Sequence, residues 1–217
     1  MSLQIQLRQF HQEFLAKSPP ATLAILETAA AELRERFAQR PCLQVGDLAP
    51  DFLLLSAAGT LVSLSEQLEK GPLILSFFRG GWCPYCLLEL RAYQGVWPGI
   101  QGLRASLLAV SPQTLTISRA MAERNGLGYP LLSDLGCQTA QDYGLAFVVP
   151  DAVRALYYAW GHPLPDYNGS EDWLLPIPAT FVLDRRRRIA EAFIEPDFSL
   201  RYEPEAALAR LRTLAVV

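Results

Sequence analysis

The sequence predicts an α/β domain in which helices flank a central mixed sheet. Three observations predict it. Residues 73–78 (LILSFF) and 106–110 (SLLAV) are short, almost wholly apolar runs, the pattern of strands buried on both faces of a parallel sheet. Each is followed by a segment of helical periodicity. Residues 179–183 and 189–194 then form a hairpin, and residues 204–214 a closing helix with Leu208 and Leu211 inward.

The elements follow in order along the chain. Residues 3–38 read as helix, broken once at Ser18-Pro19-Pro20, with Ser18 as N-cap and Pro19 at the first helical position of the second piece. Leu26, Ala30, Leu33 and Phe37 line one face of that piece, which suits docking onto the main domain or onto a partner subunit. Residues 51–55 read as a strand, and Ala58-Gly59 as a turn into residues 61–64. After the run 73–78 and the turn Arg79-Gly80-Gly81, a helix is marked by Leu87, Leu90, Tyr93, Trp97 and Ile100. Residues 115–124 form a helix that ends at Asn125-Gly126, a good C-terminal cap. Residues 129–132 read as a strand and 137–143 as a short helix. Residues 147–173 read as an insertion holding a helix at 152–159 and a loop rich in Gly, Pro and Asp. Parallel strand–helix units first and an antiparallel pair last is the order of a thioredoxin fold. The expected division is a helical extension over 1–40 and a main domain over 41–217.

The bulk composition narrows the function. With 217 residues and 51% hydrophobic content, the chain can bury one good core. A net charge of −3 gives no basic excess, so nucleic acid is not an expected partner. The run Arg185 to Arg188 reads as a solvated hairpin turn. The polar N-terminus does not read as a secretory signal, and no stretch is long enough to span a bilayer, so no membrane partner and a cytoplasmic location are expected. In a reducing cytosol, four cysteines are not a structural staple framework.

The chemistry points to Cys83 and Cys86. They lie in Gly80-Gly81-Trp82-Cys83-Pro84-Tyr85-Cys86, where an apolar strand turns into a helix. The first turn of a helix has unpaired N–H groups and a positive dipole end, which favour a thiolate at Cys83. Pro84 needs no N–H partner at the first helical position. Cys86 lies one turn deeper, shielded, and can close a disulfide with Cys83. A zinc site would need two further ligands, and His11 and His162 lie far off in sequence, so no metal or other cofactor is expected. Those histidines read as surface or capping residues. Cys42 and Cys137 read as small buried hydrophobes.

Trp82-Cys83-Pro84-Tyr85-Cys86 resembles the active sites of thioredoxins and glutaredoxins, and Ile177-Pro178-Ala179-Thr180 resembles the loop carrying their substrate-facing cis-proline. The wider match is to the peroxiredoxin-like branch of the alkyl hydroperoxide reductase / thiol-specific antioxidant (AhpC/TSA) family. Its motifs here are residues 45–52 (VGDLAPDF), 78–86 with Glu89-Leu90-Arg91, Val110-Ser111-Pro112-Gln113, Leu132-Ser133-Asp134, Asn168-Gly169, residues 178–184, and Pro196-Asp197-Phe198 with Arg201 and Glu203-Pro204. Gly80 and Ser76 stand where typical peroxiredoxins carry a hydroxyl residue and a proline.

The resemblance implies a thioredoxin fold with a peroxiredoxin-type insertion and thiol-dependent reduction of hydroperoxides, Cys83 attacking and Cys86 resolving. Arg79, Trp82, Pro84 and Tyr85 would support the site, with Ile177 and Pro178 facing substrate. The implied partners are a hydroperoxide or disulfide substrate and a thiol donor such as thioredoxin, glutaredoxin or glutathione. The helical N-terminus is compatible with a homodimer. A disulfide reductase without peroxidase activity and a redox-sensing module are the alternatives.

Overall fold

A computed structural model describes residues 1–39 and 42–215. The expected division between 40 and 41 lies outside these described residues. Two helices come first, α1 (Leu3–Lys17) and α2 (Pro20–Ala38). Ser18 ends α1 rather than capping α2, and Pro20, not Pro19, opens α2. The reason is the double proline. A residue before proline is pushed out of the helical region. Ser18 and Pro19 both obey, with ψ of 139° and 142°, so the helix starts only at Pro20.

A seven-stranded sheet runs in the order β2-β1-β5-β4-β3-β8-β9. Its strands are β1 (Leu53–Ser56), β2 (Leu61–Ser63), β3 (Leu73–Phe77), β4 (Ser106–Ser111), β5 (Leu131–Ser133), β8 (Ala179–Leu183) and β9 (Ile189–Ile194). β3, β4 and β5 are parallel; β8 runs antiparallel to β3, and β9 to β8. This is the mixed sheet of a thioredoxin fold. The strands at 51–55 and 129–132 are shifted by one to two residues from expectation, and the hairpin strands fall where expected.

The period of two along the central strands builds a core on each face. Leu73, Leu75, Phe77, Leu108, Val110, Phe181 and Leu183 point to one side, where α2, α3 (Leu64–Lys70) and α6 (Gln138–Asp142) lie. Ile74, Leu107, Ala109 and Val182 point to the other, against α1, α4 (Pro84–Gly102), α5 (Leu115–Asn125) and α9 (Pro204–Ala215). Gly126 ends α5 at a φ of +58°, a conformation that costs glycine little. Helix α3 carries the capping signature Ser-x-x-Glu: the Ser63 hydroxyl accepts from the Glu66 N–H at 3.3 Å.

The insertion has more order than its sequence implied. Besides α7 (Asp151–Ala159) it holds α8 (Leu164–Asn168) and is bracketed by β6 (Ala146–Val148) and β7 (Leu174–Pro176), which pair antiparallel as a separate sheet. A third cluster (Val149, Val153, Tyr157, Leu164, Trp173 and Leu175) packs against Ile25, Leu26 and Ala29 of α2 and against Trp82. The predicted apolar face of α2 is therefore only half-buried, shared between this cluster and the sheet.

Helix α1 joins the main core. Leu3 and Leu7 are buried with α4 and α9 residues, and the Leu3 and Gln4 N–H groups donate to the Glu203 carboxylate at 2.9 and 3.2 Å. A carboxylate there also meets the positive end of the helix. Removing Leu7 to its β-carbon leaves a cavity in this core. Leu7→Ala is expected to lower unfolding free energy by about 2–4 kcal/mol, measured by urea denaturation.

Candidate active site

The site forms where β3 ends. Arg79, Gly80 and Gly81 carry the chain from the strand into the first turn of α4. A β-carbon on Gly80, at a φ of +154°, would overlap the Trp82 indole, and one on Gly81 would overlap Met121. The buried Gln113 fixes this turn: its Oε1 accepts from the Gly81 N–H at 2.6 Å. Cys83 is the N-cap of α4 and Pro84 the first helical residue, as the sequence predicted.

Cys83 and Cys86 come together at the start of α4, both buried and both free thiols. The Cys83 thiol is held down at about 5. The first cause is a hydrogen bond from the Cys86 side chain, which outweighs the opposing cost of burial. The Arg79 and Arg201 guanidinium groups add to it. The Cys86 N–H contributes least, without the geometry of a formed capping bond. The partner thiol and the two guanidinium groups thus join the helix start in favouring the thiolate. Burial and the neighbouring Cys83 push Cys86 well up, so it keeps its proton.

Arg79 is 7% exposed. One guanidinium nitrogen donates to the Tyr157 hydroxyl, and the group lies 4.9 Å from the Trp82 ring centre and 5.0 Å from that of Phe198. Its Nε has no hydrogen-bond partner. Burial opposes its charge, but Tyr157 and the two sulfurs hold the pKa up.

A second buried cation lies behind Cys86. Arg201 donates to the Glu89 carboxylate at 2.7 Å, to the Phe198 and Leu200 carbonyls at 2.6 Å each, and to the Cys86 sulfur at 3.4 Å. Burial pushes the Glu89 carboxyl up to about 8 against the pull of Arg201. A proton can therefore move on or off this carboxyl near neutral pH.

Cys83 is 2% exposed and opens onto a cavity of about 280 Å³. Its walls come from Trp82, Pro84 and Tyr85 beside the thiol, Arg79 and Phe198 behind it, Tyr157, Trp160 and His162 of the insertion, and Phe10, Phe14 and Leu26 of α1 and α2. The expected supporting residues Arg79, Trp82, Pro84 and Tyr85 are all present. Ile177 and Pro178 are not on this wall; they line an adjoining cavity of about 180 Å³ on the far side of Arg79, with Phe198 and Pro178 near Pro196.

Pro178 corrects the sequence reading. Its peptide bond is trans, as is every other among the described residues. The Ile177 N–H is engaged by the Leu145 carbonyl, and the Pro178 carbonyl by the Glu195 N–H, so extended pairing carries the chain directly from β7 into β8. Trans is the default for an X–Pro bond unless a tight turn demands otherwise. The histidines are a second correction. His11 shares a hydrogen bond with the Tyr85 hydroxyl at 2.9 Å, and His162 lies on the cavity wall, bonded to Tyr167 at 3.2 Å. Cys137 is the buried hydrophobe expected, its thiol pushed up to about 12 by burial, while Cys42 is half-buried. Among the described residues, no group of three His, Cys, Asp or Glu side chains is placed to hold a metal ion.

Sequence reasoning quoted Glu89 and Arg201 within motifs but gave them no role. Both are charged residues in apolar surroundings, Glu89 one helical turn below Cys86 on the buried face of α4, which is the signal that marked them. Phe10, Phe14, Tyr157 and Phe198 carried no such signal, since isolated aromatics are ordinary core residues.

The mixed sheet, the dithiol at the start of α4 and its buried charges define a thioredoxin-fold, thiol-dependent oxidoreductase. Residues 45–192 match the AhpC/TSA family, and the chain belongs to it. It is 27% identical over 173 residues to a provisionally named peroxiredoxin of Mycobacterium tuberculosis, covering 79% of this chain and 98% of that one. The thiol-disulfide oxidoreductase ResA of Geobacillus thermodenitrificans is 26% identical over 155 residues, covering 70% of this chain and 71% of ResA. The crystal structure of peroxidoxin BcpB from Mycobacterium tuberculosis aligns with a TM-score of 0.62 at 25% identity, over 79% of this chain and 98% of that one.

The depressed thiol gives a direct test. The rate of Cys83 alkylation by iodoacetamide is expected to rise with pH through about 5 and to level off by neutrality. Cys86→Ala removes the main stabilising donor and is expected to move that midpoint upward. A midpoint near the ordinary thiol value in the unmodified protein would refute the assignment.

Proposed function

We propose that this protein reduces hydroperoxides with the Cys83 thiolate, closes a Cys83–Cys86 disulfide, and is recharged by a thiol donor such as thioredoxin, glutaredoxin or glutathione. The observation that carries this reading is a Cys83 thiol lining a cavity beside the buried Arg79 guanidinium, with the buried Cys86 thiol one helical turn on; the surroundings lower the pKa of the first and raise that of the second.

The steps balance as follows. The Cys83 sulfur attacks the terminal peroxide oxygen, the O–O bond breaks, and the alcohol or water leaves with a proton. Sulfur has lost two electrons and is now a sulfenic acid. Cys86 attacks that sulfur and water leaves as the disulfide forms. Cys86 sheds its proton to the hydroxide that departs from the sulfenic acid, which leaves as water, and the Arg201 guanidinium at 3.4 Å steadies the sulfur as its charge develops. Arg79 offsets the negative charge on sulfur and on the departing oxygen. Two electrons from the donor thiol restore the dithiol. Such donors are the thiol pools of a reducing compartment such as the cytoplasm.

Disulfide reduction is the second reading. The Cys-x-x-Cys spacing and the similarity to ResA favour it. A thiol 2% exposed argues against a folded protein as the substrate.

Stopped-flow mixing of reduced protein with hydroperoxide separates the two. Oxidation is expected to be rapid and to be abolished by Cys83→Ser. In Cys86→Ser it should stop at a sulfenic acid that dimedone traps. Slow oxidation by peroxide alongside fast reduction of mixed disulfides would establish the second reading instead. Glu89→Gln, which weakens the hold on the Arg201 guanidinium beside the Cys86 sulfur, is expected to slow disulfide closure by about tenfold while sparing sulfenic acid formation, followed by tryptophan fluorescence.

A further inference from the structure

Helices α1 and α2 lie before the region that matches the family, which begins at residue 45. Yet they reach the site. Leu3 and Leu7 anchor α1 in the core, and Glu203 holds its first N–H groups. Further along α1, Phe10 packs edge-on against Tyr85 at 5.1 Å, and His11 bonds the Tyr85 hydroxyl. Tyr85 stands between the two cysteines in sequence, so α1 is fastened to the cysteine loop itself. Phe10 and Phe14 of α1 and Leu26 of α2 then form one wall of the Cys83 cavity.

We propose that this helical pair selects the substrate: Phe10, Phe14 and Leu26 fit the Cys83 cavity to hydroperoxides bearing an aromatic or branched alkyl group, in preference to hydrogen peroxide. The proposal rests on the peroxide-reducing reading above. Hydrogen peroxide has no apolar surface to bury, so apolar walls give it nothing. An aromatic group loses water contact against them and gains affinity in proportion to the area covered. The cavity, about 280 Å³, is near the lower limit for small-molecule sites, which suits a single ring or branched chain and not a polypeptide. The reaction is unchanged by the choice: sulfur takes the terminal oxygen, and the organic alcohol leaves with a proton.

The test compares Cys83 oxidation by cumene hydroperoxide and by hydrogen peroxide in stopped flow. Phe14 is half-exposed and lies outside the core clusters, so Phe14→Ala leaves the fold in place. Leu26→Ala samples the wall from the other helix. Each is expected to lower the ratio of the two rate constants, cumene over hydrogen peroxide, by about tenfold. Leu15→Ala, at an α1 residue 44% exposed and off the cavity wall, is the control and should keep the ratio. If both peroxides oxidise Cys83 and neither wall substitution moves the ratio, the helices do not select substrate and the proposal fails alone. If neither peroxide oxidises Cys83 in the unmodified protein, the peroxide reading itself has failed.

Discussion

The burial of two neighbouring thiols between two guanidinium groups is the constraint on which this site depends. It leaves Cys83 ionised inside the protein, where burial alone would keep a thiol neutral. Cys86 is pushed the other way by burial and by the neighbouring Cys83, and it lies off the cavity that Cys83 lines. Arg79 and Arg201 make the buried negative charge tolerable, and each is tied down. Aromatic rings and the Tyr157 hydroxyl hold the first; Glu89 and two backbone carbonyls hold the second.

The fold supplies this arrangement from a fixed point. β3 is buried along its whole length between β4 and β8, so the turn that follows it has a rigid base. Gln113, at the end of the neighbouring strand, pins that turn through the Gly81 N–H. The segment from Phe198 to Glu203 then serves several parts at once. Phe198 backs Arg79 and Tyr85, Arg201 reaches Cys86 and Glu89, and Glu203 receives the start of α1. The reactive centre and the N-terminal helix are thus joined through one short stretch of chain.

Much of this was legible in the sequence. The apolar runs at 73–78 and 106–110 reported burial, and Asn125-Gly126 reported a helix end. The cysteine pair announced its own position. Helix α3 was readable too, from Ser63 and Glu66, but its brevity hid it beside a strand. What could not be read was convergence from distant segments. The pairing of Glu89 with Arg201 spans 112 positions, and no local pattern encodes it. β6 and β7 have three residues each, too few for a period to show. Pro178 illustrates a motif that travels without its geometry: the residues around it match a known loop, while the pairing of its neighbours holds the chain extended.

The surroundings of Arg79 carry one more consequence. Arg201 has the Glu89 carboxyl as a partner, whereas the groups that hold up the charge on Arg79 are the Tyr157 hydroxyl and the sulfurs of Cys83 and Cys86. In the proposed cycle, joining the two sulfurs removes their charge and leaves Arg79 with the Tyr157 hydroxyl and aromatic faces alone. On that proposal the disulfide form is the less favourable of the two and the readier to accept electrons. In that cycle the charge that readies Cys83 for attack also draws the protein back to the reduced form.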